Sequence, residues 1–178
     1  MSPAQLYYSQ HLISEYGPIF SPMTAYNLDK QYMKLALKEA ITAFDKDEVP
    51  VGCVVVHKGR IVGKAHNQVE TLKDPTAHAE MIALTQACTT LKSKWLKDAT
   101  AYVTIEPCSM CAGALVLARI NRLVFGAKDP KTGACGSVFN IPESKKLNHK
   151  FKIKSGVMQQ DCAALLSEFF KKKRKSKN

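Results

Sequence analysis

Apolar residues recur with helical spacing early in the chain. Met33, Leu37, Ile41 and Phe44 form one stripe over residues 29–44, and Asn27 or Asp29 can cap its start. The period then changes. Val51 to His57 is a short β-branched run, Lys58-Gly59 is turn chemistry, and Arg60 to His66 completes a predicted hairpin. Residues 71–75 read as a loop. A second helix is predicted from near Thr76 to about Cys88, carrying Met81, Leu84 and Cys88 at helical intervals.

The remainder alternates in the same way. Ala99–Ile105 reads as a buried strand. Pro107 stands where a helix begins, and Ser109–Ala118 continues it as an apolar helix. Arg122–Gly126 is a further strand, residues 129–136 a turn-rich loop, and Phe151–Val157 a final strand. Asp161 to about Lys172 is an amphipathic helix bearing Leu165, Leu166, Phe169 and Phe170. Strands alternating with helices predict a layered α/β domain. Residues 1–26, broken by Gly17, Pro18 and Pro22, show no period and read as a poorly structured extension. The folded domain is placed at 27–172 and a basic tail at 173–178.

Charge sharpens this outline. Of 178 residues, 26 are Lys or Arg and 15 are Asp or Glu, a net charge of +11. From Lys145 onward eleven basic residues face only Asp161 and Glu168, so +9 of that charge lies in the last 34 residues. A basic stripe at one end of a small domain attracts phosphate backbones through counterion release. No apolar run reaches the roughly 18–20 residues that span a bilayer. Residues 1–26 do not read as a secretory signal. The expectation is a cytoplasmic protein without membrane contact.

Of six cysteines, only Cys108 and Cys111 have ligand-like spacing; Cys53, Cys88, Cys135 and Cys162 read as small core residues. Residues three apart share a helix face, so Cys108 and Cys111 can present both sulfurs to one ion, at a helix start that favours thiolates. His78 offers a third ligand. A site with three protein ligands keeps its fourth position for water, whose pKa then falls to about 7. Glu80 lies two residues from His78 and does not share its helix face, so it is read as a proton shuttle over the open position rather than a ligand. A thioredoxin-like redox reading of the cysteine pair leaves His78 and Glu80 unexplained.

The pairing of His78-Ala79-Glu80 with Pro107-Cys108-Ser109-Met110-Cys111 is the signature of zinc nucleobase deaminases. With Glu48-Val49-Pro50-Val51-Gly52, His66-Asn67, Val124 to Asp129, Lys131-Thr132-Gly133 and Cys162 to Phe170, the sequence resembles the cytidine/deoxycytidylate deaminase superfamily. Within it, it is most similar to bacterial tRNA-specific adenosine deaminases of the TadA type, from about Asp29 to Lys172. The resemblance implies a three-layer α/β/α fold with a central mixed five-stranded sheet. It implies a homodimer that binds a tRNA anticodon stem-loop and converts adenosine to inosine at the wobble base, typically of an arginine tRNA. It implies one zinc ion per subunit held by His78, Cys108 and Cys111, with Glu80 moving protons. It places Asn67 against the flipped base and Asp129 beside the RNA. Lys128 stands where relatives carry arginine, and lysine lacks the planar bidentate contact.

Plainer roles exist for the supporting residues. Asn67 follows a strand and can cap a turn, and Asp129 before Pro130 is common turn chemistry. Phe169 and Phe170 are adjacent on a helix, so one is expected in the core and the other free to stack on an unpaired base. His57, His66 and His149 read as structural or solvent-facing. Two other functions fit parts of the pattern. One is a deaminase of a free nucleobase or nucleoside (cytidine, guanine or a riboflavin precursor), which has no use for the basic end. The other is a zinc-stabilised RNA-binding module without turnover, which has no use for Glu80.

Overall fold

The molecule, seen in a computed structural model that describes residues 25–176, is built on a five-stranded mixed sheet of order β2-β1-β3-β4-β5. In chain order the elements are α1 (Ala25–Asp45), β1 (Gly52–His57), β2 (Arg60–His66), α2 (Val69–Leu72), α3 (Ala79–Leu91), β3 (Ala99–Ile105), α4 (Ser109–Leu117), β4 (Arg122–Ala127), a 3-10 turn (Ile141–Glu143), β5 (Lys152–Lys154) and α5 (Gln159–Lys175). β1 pairs antiparallel with β2 and β3, while β3, β4 and β5 run parallel. Among the described residues no helix is long and apolar enough to cross a membrane.

Side chains alternate across a strand, and here both faces are apolar. Cys53, Val55, Ala101, Val103, Leu123 and Phe125 point to a core shared with Ala83 and Ala87 of α3 and Ala112 and Leu115 of α4. Val54, Val56, Tyr102 and Val124 point the other way, onto Met33, Leu37 and Phe44 of α1 and Leu165 and Phe169 of α5. This is the three-layer α/β/α arrangement that the resemblance implies. Close packing of the hairpin needs glycine twice. A Cβ on Gly52 would lie 2.0 Å from the Ala36 carbonyl oxygen of α1, and one on Gly63 would lie 2.2 Å from that of Ala83 in α3.

Several boundaries differ from the sequence expectation. α1 begins at Ala25, so Asp29 is no cap. It is buried inside the helix, where it accepts two hydrogen bonds of 2.8 Å from Arg122, one of 2.7 Å from Lys154 and one of 3.1 Å from the Tyr102 hydroxyl. The loop expected at 71–75 is preceded by the short helix α2. α3 starts at Ala79 rather than near Thr76, because the Asp74 carboxylate holds the Thr76 amide at 2.8 Å and its hydroxyl at 2.7 Å in a turn. Pro107 lies outside α4, whose N-cap is Cys108. β5 is confined to three residues, and Gly156, at φ +82°, turns the chain into α5. α5 continues through Lys175, beyond the expected domain edge at 172. The extension expected at 1–26 lies outside the described residues except for its last two, which open α1.

Candidate active site

Two helices start side by side at the carboxyl end of β3, beside the amino end of the antiparallel β1. His78 is the N-cap of α3 and Cys108 the N-cap of α4, both with extended backbone, and Cys111 sits in the first turn of α4. The His78 Nδ1 atom lies 3.7 Å from the Cys108 sulfur and 3.6 Å from the Cys111 sulfur. Donors at a tetrahedral angle, with Zn–S of about 2.3 Å and Zn–N of about 2.0–2.1 Å, stand about 3.6 Å apart. The donor set and its spacing therefore fit zinc. Among the described residues this is the one His/Cys/Asp/Glu group compact enough to hold a metal. The Cys111 thiol, with help from His78 and the Cys111 backbone N–H, holds Cys108 down to about 4 against the opposing effect of burial. Cys111 is pushed up by the same pairing. The thiolate of the pair thus resides on the helix N-cap, where the dipole favours it.

Glu80, in the first turn of α3, is 2% exposed. Its Oε2 atom is buried without a hydrogen-bond partner. Burial pushes its carboxyl pKa up, offset in part by its own backbone N–H and by His78. A buried oxygen without a partner is costly in a folded protein, so it marks a place where a further group belongs.

Glu80, His78 and Cys108 line a cleft of about 550 Å³. Two buried acids fix its walls. Glu48 accepts hydrogen bonds from the Thr71 amide at 2.6 Å, the Glu70 amide at 3.1 Å and Asn67 Nδ2 at 3.3 Å. Burial alone would raise its pKa, but these donors, Thr71 foremost, hold it below the usual carboxylate range. Glu106 holds the opposite wall through the amides of Asp129 at 3.2 Å, Cys135 at 3.0 Å and Ser137 at 3.0 Å, and through the Ser137 hydroxyl. A Cβ on Gly133 would lie 2.5 Å from the Glu106 carboxyl carbon, so this loop closes only around glycine. The Cys108 backbone is bridged to Gly133, which joins the loop to the start of α4.

The remaining predicted residues divide. Asn67 is buried and lines the cleft, and Lys128 and Asp129 line the side opposite. The Asp129 carboxylate is engaged in its own turn, accepting from the amides of Lys131 at 2.9 Å and Thr132 at 3.2 Å and from the Thr132 hydroxyl. Phe170 lines the cleft and is 43% exposed, whereas Phe169 is 3% exposed and packs edge-on against Phe44. Phe169 is therefore a core residue and does not reach the cleft. Part of the basic end is occupied internally: Lys173 pairs with Asp47 at 2.5 Å, and the Lys172 ammonium lies 5.3 Å from the Phe44 ring centre. His66 contacts Lys46 and Glu39, and His149 bonds the Ile120 carbonyl at 2.6 Å; neither lines the cleft. No disulfide joins any of the six cysteines. Sequence reasoning missed Glu48 and Glu106. The available signal was an acid one or two residues before a proline, at Glu48-Val49-Pro50 and Glu106-Pro107.

Comparison with known proteins agrees with this geometry. The MafB19-like deaminase family matches residues 27–174. A tRNA-specific adenosine deaminase of Bacillus subtilis is 48% identical over 84% of this chain and 92% of its own. That of Aquifex aeolicus is 52% identical over 83% of this chain and 97% of its own. A solved structure from work on A-to-I editing by tRNA:A34 deaminases at the wobble position superposes with a TM-score of 0.74, at 42% identity, over 76% of this chain and 99% of its own. The chain belongs to the MafB19-like deaminase family, among the tRNA-specific adenosine deaminases.

Proposed function

We propose that this protein hydrolytically deaminates adenosine to inosine at the wobble position of a tRNA anticodon, with an arginine tRNA as substrate. In this reading it binds the anticodon stem-loop as a cytoplasmic homodimer with one zinc ion per subunit. The observation that carries the reaction is the convergence of His78, Cys108 and Cys111 beside a buried carboxylate with an unpartnered oxygen, at the floor of a cleft. The names of the relatives and the basic end of the chain support RNA as the substrate.

His78, Cys108 and Cys111 would hold the ion. When bound there, zinc supplies a nucleophile near neutral pH by acidifying water. Glu80 takes one proton of the attacking water and delivers it to the purine ring nitrogen; it then takes the remaining proton from the hydroxyl newly bonded to C6 and gives it to the exocyclic nitrogen, which leaves as ammonia as the C6 carbonyl forms. Adenosine and water thus give inosine and ammonia, with Glu80 restored. Asn67 spends one N–H on Glu48, which leaves its carbonyl and second N–H for the edge of a flipped base. Phe170 offers a ring for stacking, and Lys128 on the cleft lining provides charge near the phosphates.

The test is to incubate purified protein with an anticodon stem-loop and, separately, with free nucleosides, and to read inosine as guanosine at anticodon position one. Conversion of the stem-loop is expected, with Glu80→Gln retaining zinc but losing ammonia release. Comparable turnover of free nucleosides, or activity retained in Glu80→Gln, refutes the reading.

A further inference from the structure

The starts of the parallel strands β3, β4 and β5 gather at the end of the sheet opposite the cleft. The β1–β2 turn joins them there, since His57 pairs with both Ala99 and Arg60. This end collects Lys58, Arg60, Lys94, Lys97, Arg119 and Lys150. Backbone bonds from Leu96 to Ala118, at 2.7 Å, and from Lys152 to Asn121, at 3.1 Å, hold the three segments together. All but Arg119 are exposed, and among the described residues none is paired with a carboxylate. Asp98 is the single acid in these segments.

At the centre lies Trp95, 43% exposed. Lys94, Lys97 and Arg119 stand 5.1, 5.3 and 4.8 Å from its ring centres, all within cation–π range. The ring gathers three like charges that would otherwise spread into solvent. Nothing in the deamination chemistry uses them, because the seven-residue strand β3 separates this end from the cleft by about 23 Å.

We infer that this end of the sheet is a second RNA-facing surface, which takes the phosphodiester backbone of the tRNA body while the anticodon loop occupies the cleft. Concentrated positive charge with a partly exposed indole suits phosphates and sugars better than an apolar protein partner, whose anchor would need the ring face that the cations cover. The inference rests on tRNA being the substrate.

The experiment compares wild type with the triple variant Lys94→Gln, Lys97→Gln, Arg119→Gln, and with Trp95→Ala, against full-length tRNA and the isolated anticodon stem-loop. Each lost phosphate contact lowers the slope of log affinity against log salt by about 0.7–0.9, so the triple variant should lose about 2–3 on tRNA. At 0.1 M salt its tRNA affinity should fall about tenfold or more. Trp95→Ala keeps every charge and should weaken tRNA binding several-fold. Stem-loop affinity and the rate at saturating stem-loop should stay within about twofold of wild type, which controls for the altered net charge. Unchanged tRNA affinity, or equal losses on tRNA and stem-loop, overturns the inference. So does a changed molar mass by light scattering with tRNA affinity intact, which assigns the surface to a second copy. Failure of wild type to deaminate either RNA would instead sink the functional reading and leave the binding comparison standing.

Discussion

Replacing Glu106 by glutamine alters one heavy atom and removes the strut of one cleft wall. Its two oxygens accept from three backbone amides and one hydroxyl, all in the 129–137 loop. In the less costly orientation, the glutamine oxygen keeps the Cys135 and Ser137 amides. Its NH₂ group then faces the Asp129 amide and the Ser137 hydroxyl, where no acceptor remains for the amide. Hydrogen bonds to a charged group contribute about 1.5–3 kcal/mol each, and some of the loss is recovered by relaxation, so Glu106→Gln should destabilise by about 2–4 kcal/mol. Urea unfolding should show a lower midpoint at unchanged slope. Native-state amide exchange should accelerate at Asp129, Cys135 and Ser137 while the β1 and β3 amides remain protected. Because Gly133 bridges the Cys108 backbone, the KM for RNA should rise before zinc content falls. Exchange at those three amides matching wild type, with a stability change under about 0.5 kcal/mol, would refute the assignment of Glu106 as the organiser of this wall.

The two adjacent phenylalanines should separate cleanly. Phe169→Ala should lose about 3–5 kcal/mol in urea unfolding, while Phe170→Ala should leave stability within about 1 kcal/mol and raise the KM for RNA. Equal effects of the two would contradict their placement. Asp29 should show a pH signature. Burial alone would raise its pKa, but the hydrogen bonds from Arg122 and Lys154 outweigh it and hold the carboxyl below its usual value. Its stabilising effect is therefore full above the unfolded carboxylate pKa of about 3.9 and lost as pH falls through the lower folded value. Asp29→Asn should be about 2 kcal/mol less stable than wild type at pH 7, with the gap narrowing as pH falls below the usual carboxylate range; a gap constant with pH would argue against it. Cys111→Ser should abolish stoichiometric zinc by elemental analysis and deamination with it, whereas Cys88→Ser should change neither.

The sequence was most readable where a run of one residue type ends on a strong break. β3 matches the expected Ala99–Ile105, because a mostly apolar segment without Gly, Pro or charge is bounded by Asp98 and by Glu106-Pro107. The hairpin follows from Lys58-Gly59, both of which adopt positive φ. Helix starts were less readable. A polar residue such as Asp29 looks like a cap until partners 93 and 125 residues away draw it inside. The end of α5 was drawn at a change of charge. Lysine and arginine are good helix formers that also suit a helix C-terminus, so the helix carries on through Lys175. At the site, Cys-x-x-Cys spacing is visible in one dimension, and so is His-x-Glu. Glu48 and Glu106 are fainter, because an acid near a proline carries no period and its meaning lies in loop amides that only the fold delivers.

The tie at Asp29 has a consequence for biosynthesis. Its countercharges come from β4 and β5, and Lys154 leaves the ribosome 125 residues after the acid it neutralises. A nascent chain that has emerged only as far as α4 can form the first helix and the hairpin, but it must keep Asp29 hydrated, so the α1 face of the sheet cannot close. Closure waits for the final strand, and a stalled or prematurely terminated polypeptide would expose that unsealed apolar face to chaperones and proteases.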